Sequence, residues 1–201
     1  MACVFDANFL TLVLYPEADP PNDPSTGKAV THAGRRIALL LEQLSKQGER
    51  IVIPTPVLAE VLVLVGTAGP EYVRLIDKSA RFEMGPFDTR AAIENAAMLA
   101  EAIASGDKRS GLKATAWQKI KIDRQIVAIA SSRGCRVIYS TDADIAKLAK
   151  EARIEVRHLA DIDPPAETMP LFRLLEDGTI VASSPSEPEP PSERSPGAEK
   201  E

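Results

Sequence analysis

Apolar and polar positions along the chain switch between short unbroken apolar runs and helical spacing, and these switches divide it into strands and helices. Residues 2–5, Ala-Cys-Val-Phe, read as a buried strand. Residues 8–15 follow as a helical stretch, and residues 16–28, with four prolines, as a loop. Residues 29–46 place Val30, Ala33, Ile37, Leu40, Leu41 and Leu44 on one face and predict an amphipathic helix. A strand over 51–53, a helix over 56–65 with Pro56 in its first turn, a helix over 71–80, a strand over 82–87 and an Ala-rich helix over 89–105 come next. After a basic segment, the pattern predicts a helix over 124–133 closed by Gly134, a strand over 136–139, a helix over 143–152 and a strand over 155–159. Strands alternating with helices predict an α/β fold whose parallel sheet is covered on both faces.

The pattern weakens toward the end. Residues 171–182 predict a short helix and a strand, and residues 183–201 are Pro, Ser and Glu with almost no apolar side chain. Such a segment cannot bury enough surface to offset its ordering entropy, so it is expected to be disordered. The expected organisation is one folded domain over 1–163, an extension over 164–182 and an acidic tail over 183–201.

Composition changes this picture in one respect. The 201 residues carry a formal charge of −5, but from Pro164 onward there are eight acidic and three basic residues. The rest is therefore neutral, and the overall acidity does not exclude a nucleic-acid partner. Cys3 and Cys135 both fall in strand-like runs and read as buried reduced thiols. The N-terminus has no basic leader, and no apolar run reaches the roughly 18 residues of a membrane span. A soluble cytoplasmic protein with no membrane partner is the expectation.

The positions of the acids carry the chemistry. Asp6 directly follows the first strand, and Asp142 and Asp144 follow the strand over 136–139. In open parallel sheets, ligand sites form beyond the carboxyl ends of the strands. Glu60 lies on a helix that is apolar nearly all round, so it is expected to face protein, where an unpaired carboxylate needs a cation or a proton. Asp123 is placed at the start of the helix over 124–133. Each acid also has a plainer reading: Asp6, Asp123 and Asp142 or Asp144 as helix caps, Glu60 as a paired core acid. Read together, four acids from four segments repel one another unless a divalent cation neutralises them. Oxygen ligands suit Mg²⁺ or Mn²⁺, and with only His32 and His158 a His-rich zinc site is not expected.

These segments resemble a known family. Val4-Phe5-Asp6-Ala7-Asn8 resembles the opening motif of PIN domains, and Pro54-Thr55-Pro56-Val57-Leu58-Ala59-Glu60-Val61 the second. Asp123-Arg124-Gln125-Ile126-Val127-Ala128-Ile129-Ala130 resembles the third, and Tyr139-Ser140-Thr141-Asp142-Ala143-Asp144-Ile145 the fourth. The resemblance covers residues 1–160 in the correct order, and the nearest subgroup is the VapC-like toxin ribonucleases. It implies a three-layer α/β/α fold with a mainly parallel sheet, one or two Mg²⁺ or Mn²⁺ ions, cleavage of single-stranded RNA, frequent homodimers and an antitoxin partner. It implies that Asp6, Glu60, Asp123 and Asp142 hold the metal with Asp144 at its edge, and that Asn8 and Ser140 orient carboxylates or waters. The Pro-rich loop, the long segment before Asp123 and the acidic tail depart from the small toxins.

The expected reaction is metal-assisted phosphodiester hydrolysis, which needs no side-chain nucleophile. Lys108, Arg109, Lys113, Lys119, Lys121 and Arg124, with Trp117 among them, are the candidate interface for single-stranded or structured RNA. Cations there would follow phosphates while the ring stacks a base. The plainer alternative is a solvated helical face with Trp117 in the core. The competing function is a catalytically silent RNA-binding or interaction module of the same fold. An aspartate-based phosphatase is disfavoured because position 8 is Asn, and a receiver domain because residues 51–54 lack an acceptor Asp.

Overall fold

The computed structural model describes residues 2–15 and 17–164, together with the backbone of 171–174 and 180–183. Five short strands run through its centre: β1 (Ala2–Phe5), β2 (Arg50–Pro54), β3 (Phe82–Gly85), β4 (Val137–Tyr139) and β5 (Glu155–Arg157). They pair in parallel in the order β3-β2-β1-β4-β5. Helices α1 (Ala7–Leu14) and α2 (Ala33–Lys46) join β1 to β2, and α3 (Thr55–Val65) and α4 (Gly69–Lys78) join β2 to β3. Helices α5 (Thr89–Ala104) and α6 (Trp117–Ser132) join β3 to β4, and α7 (Ala143–Glu151) joins β4 to β5. The result is the expected three-layer α/β/α arrangement around a parallel sheet.

The strand order creates the site. From β1 the chain moves outward through β2 and β3, then returns to β1's other side for β4 and β5. The switch point therefore lies between β1 and β4, where a crevice opens beyond the strand ends. Register aligns Phe5 with Tyr139, so the residues after each strand emerge side by side, and the Asp6 N–H donates to the Tyr139 carbonyl at 3.1 Å. Beneath them Phe5, Phe9 and Tyr139 pack as tilted rings with centroids 5.4–5.6 Å apart. This apolar floor holds the start of α1 against the strand ends.

Several boundaries differ from the sequence expectation. The most consequential is α6, which begins at Trp117 and not at residue 124. Its buried positions Ile120, Asp123 or Arg124, Val127 and Ala130 recur at helical spacing, and the intervening lysines lie on the outer side. Residues 29–32 are outside α2, and His32 enters it with a left-handed backbone (φ 56°). β3 stops at Gly85, and β5 stops at Arg157 because His158 caps a 3-10 turn over Leu159–Asp161. Leu171–Leu174 is a strand, paired antiparallel with Ile180–Ser183, where a short helix was expected. Pairing with a neighbouring strand, and not the intrinsic preference of four residues, decides such a segment. The rest of the expected extension and the expected disordered tail lie outside the described residues.

Helix α3 brings the clearest correction. Its apolar character was expected to turn Glu60 toward protein, yet only Val57 and Val61 of this helix are buried, while Val63 is 81% and Leu64 67% exposed. Glu60 is exposed too. An all-apolar helix has no polar stripe to mark its outer face, so its pattern does not say which side meets protein. Within the 24-residue stretch Thr55–Lys78, a window of 18 residues reaches a mean hydropathy of 1.3, so by length and composition alone it meets the requirement for a membrane span that the sequence expectation had excluded. It is not one straight helix: Gly66, with φ 54° and ψ −123°, breaks it before a 3-10 turn over Gly66–Ala68. Cys3 and Cys135 are both buried free thiols.

Candidate active site

Asp6 serves two neighbours with its two oxygens. As the N-cap of α1, its Oδ1 accepts the Phe9 N–H at 2.9 Å. Its Oδ2 accepts the Ser140 hydroxyl and, at 3.3 Å, the Thr141 N–H from the turn after β4. The side chain is only 3% exposed. Burial pushes its pKa from 3.8 up to about 6, against the lowering pull of these three hydrogen bonds.

Asp142 repeats the device across the crevice. Its Oδ1 accepts the Asp144 N–H at 2.7 Å as the N-cap of α7, and its Oδ2 lies 2.7 Å from Lys119 Nζ. Ser140 joins the two acids, donating to Asp6 and accepting the Asp142 N–H at 3.0 Å. Each of the two acids thus caps its helix with one oxygen and bonds a residue of another segment with the other, Asp6 to Ser140 and Asp142 to Lys119. Asn8, expected to orient carboxylates or waters, donates its Nδ2–H to Thr141 Oγ1 at 2.6 Å and braces the turn.

Asp123 is no helix cap, because α6 starts six residues before it. It lies one turn beyond Lys119, whose Nζ is 2.7 Å from its Oδ2. Burial raises its pKa, and Lys119 offsets part of that rise. Asp144 completes the group at 3.2 Å from the same ammonium and also accepts the Thr115 hydroxyl at 2.9 Å. Burial alone would raise the Asp144 pKa, but these two partners outweigh it and hold the carboxyl low. Lys119 itself is lifted above the ordinary lysine value, since Asp123 and Asp142 outweigh its partial burial.

Asp6, Asn8, Glu60, Lys119, Asp123 and Asp142 line a single cavity of about 270 Å³, with Ile122, Ile126 and Ile145 in its apolar walls. Four acids from four segments thus face one space, with Glu60 entering from the exposed α3 as an open, solvated carboxylate. Among the described residues, no group of three or more His, Cys, Asp or Glu side chains stands ready to hold a metal ion. The oxygens of Asp123, Asp142 and Asp144 instead surround the Lys119 ammonium. That ammonium is a stand-in cation, and an all-oxygen donor set drawn around it fits a hard divalent ion in chemistry. Lys119 and Thr115 are the site residues that sequence reasoning misplaced or missed. The i,i+4 spacing of Lys119 and Asp123 was the available signal, hidden by starting the helix too late.

The basic segment divides by role. Arg124 is corrected as an RNA-contacting residue: it is 1% exposed, and its Nη2 donates to the Lys108 carbonyl at 3.1 Å and to Ser110 Oγ at 3.2 Å. Arg109 likewise turns inward, its Nη1 donating to the Thr115 carbonyl at 2.7 Å. Both guanidiniums hold the loop between α5 and α6 in place. Trp117 is half-buried against the core, with Lys108 Nζ 5.6 Å and Arg109 Cζ 6.0 Å from its ring centroid. Lys108, Lys113 and Lys121 remain exposed.

No protein-family model matches the chain, and no curated protein does. Solved structures do. VapBC2 from Rickettsia felis, bound to a DNA fragment from its promoter, is similar with a TM-score of 0.52 and 14% identity, over 79% of this chain and 98% of that one. DNA-bound VapBC from Salmonella typhimurium has a TM-score of 0.49 and 16% identity, again over 79% and 98%. The first likeness, at its low identity, speaks to architecture alone, and on that architecture this chain has a VapC-like PIN fold.

Proposed function

We propose that the chain is a divalent-metal-dependent endoribonuclease that hydrolyses single-stranded RNA, acting as the toxin of a toxin–antitoxin pair. The observation that carries this reading is the meeting of Asp6, Glu60, Asp123 and Asp142 in one cavity at the switch point of the sheet. A bound Mg²⁺ or Mn²⁺ supplies an activated water and stabilises charge on the phosphoryl oxygens. Asp6, Asp123 and Asp142 are the proposed holders, with Asp144 and Glu60 at the edges. Ser140 fixes Asp6 and the turn bearing Asp142 in one orientation. Within the basic segment, the exposed Lys108, Lys113 and Lys121 are the proposed cations to follow an RNA backbone. The VapBC form of the similar structures supports an antitoxin partner.

The test is cleavage of a single-stranded RNA by purified protein with Mn²⁺ or Mg²⁺, with and without chelator, beside Asp142→Asn. Cleavage that needs the metal and the Asp142 carboxylate supports the reading. Cleavage that survives chelation, or that both proteins share equally, overturns it. The Lys119 ion pairs favour one second reading, a silent RNA-binding or interaction module whose acids are neutralised without metal. RNA binding with neither cleavage nor acid-dependent Mn²⁺ binding would select it.

The same proposal includes a homodimer. Val63 and Leu64 on α3, and Ile93 (65%) and Ile103 (58%) on α5, are large apolar side chains left in solvent. Contiguous exposed apolar surface marks interaction sites, and adjacent Val63 and Leu64 are the proposed centre of the contact. Val63→Asp is expected to convert a sedimenting dimer to monomer without loss of helical content. A wild-type chain that sediments as a monomer at micromolar concentration rules the dimer out.

A further inference from the structure

Two cations cannot share one place. Lys119 Nζ lies 2.7 Å from Asp123 Oδ2, 2.7 Å from Asp142 Oδ2 and 3.2 Å from Asp144 Oδ2. A divalent ion held by the same oxygens would have to take the place that the ammonium fills. We propose that Lys119 is a positioning residue and an internal competitor for the divalent ion: it holds the acids together without metal and must swing out when metal enters. This rests on the metal-dependent reading above.

The means of exchange are present. The Lys119 side chain is 44% exposed, on the outer side of the first turns of α6, so a change of its flexible stem takes the ammonium to water. Asp142 and Asp144 are also partly open, at 28% and 22%. Asp123 is the inner wall, at 7%. Without the ammonium, three carboxylates would face one another with no counter-charge between them. Lys119 therefore allows the cluster to fold before it is loaded, at the expense of metal affinity. A residue that merely supports the site would have the opposite sign: its removal would misplace the acids and weaken metal binding.

The experiment is Mn²⁺ calorimetry on the full chain, comparing wild type, Lys119→Met, Lys121→Met and Asp142→Asn. Methionine keeps the stem and removes the charge. Lys121→Met removes an exposed charge from the same helix. Losing the charge-assisted contacts that Mn²⁺ must break is expected to tighten binding by about 10-fold or more in Lys119→Met, with Lys121→Met within about 2-fold of wild type. Equal or weaker binding by a folded Lys119→Met overturns the proposal and leaves the metal reading intact. Absence of acid-dependent binding in every protein overturns both. A second measurement needs no variant. Amine labelling read by mass spectrometry should find Lys119 protected in metal-free wild type and at least about 5-fold more reactive at Mn²⁺ saturation, relative to Lys121. Unchanged protection at saturation overturns the proposal.

Discussion

Asp6→Asn is expected to lose RNA cleavage by roughly 100-fold or more and yet to unfold at a higher temperature than wild type at neutral pH. The activity loss follows from removing one anionic oxygen of the proposed metal site. The stability gain follows from burial. Asp6 is 3% exposed, and its pKa moves from 3.8 to about 6 in the folded protein. An acid with a raised folded pKa is held more tightly by its proton in the folded state than in the unfolded one. Its contribution is most favourable below about pH 4, falls as the pH climbs toward 6, and stays unfavourable above that. A rise of this size corresponds to about 3 kcal/mol at neutral pH as an upper bound. Asparagine keeps an acceptor for the Phe9 N–H but gives up one of the interactions with Ser140 and Thr141, so a net gain of about 1–2 kcal/mol is expected. Thermal unfolding of both proteins in chelator, from pH 4 to 8, checks this. The two curves should converge near pH 4 and separate by several degrees above pH 6. Curves that stay parallel would mean that burial of Asp6 is not what the folded state opposes.

Gly85→Val is expected to destabilise the fold by about 3 kcal/mol, with Gly85→Ala at about half that. A Cβ at this position would lie 2.7 Å from Val52 Cγ1 and 2.9 Å from Ile129 Cγ2. Both neighbours are fully enclosed core side chains, Val52 on β2 and Ile129 on α6, so neither has room to give way. The glycine is needed for close approach of α6 to the sheet, not for an unusual backbone angle. Because α6 also carries Lys119 and Asp123, lifting it would open the acid cavity as well as the core. For a chain of this size the midpoint should fall by roughly 6–12 °C. Urea unfolding measures the effect, and a change under about 0.5 kcal/mol for Gly85→Val would refute the close-packing argument.

The fold was legible because its elements carry their own signals. β1 and β2 are unbroken apolar runs, as strands buried on both faces must be, and Asp6 and Asp142 follow strands whose order puts them at the switch point. The caps were legible as well, since an Asp ahead of an apolar helix is a local feature. What misled was the reading of faces and partners. Glu60 looked buried because its helix is apolar, and Arg124 looked available because it stands among lysines, yet the structure reverses both.

By itself the sequence determined the element types, the α/β order and the acids that stand at strand ends and helix starts, because each depends on residues close along the chain. Only the tertiary structure decided that α3 leaves Val63 and Leu64 in water, that Arg124 ties down a loop, and that Lys119 sits among Asp123, Asp142 and Asp144. Periodicity reports which side chains share a face of one helix. Whether that face meets protein, solvent or a charge 23 residues away is settled by packing between segments.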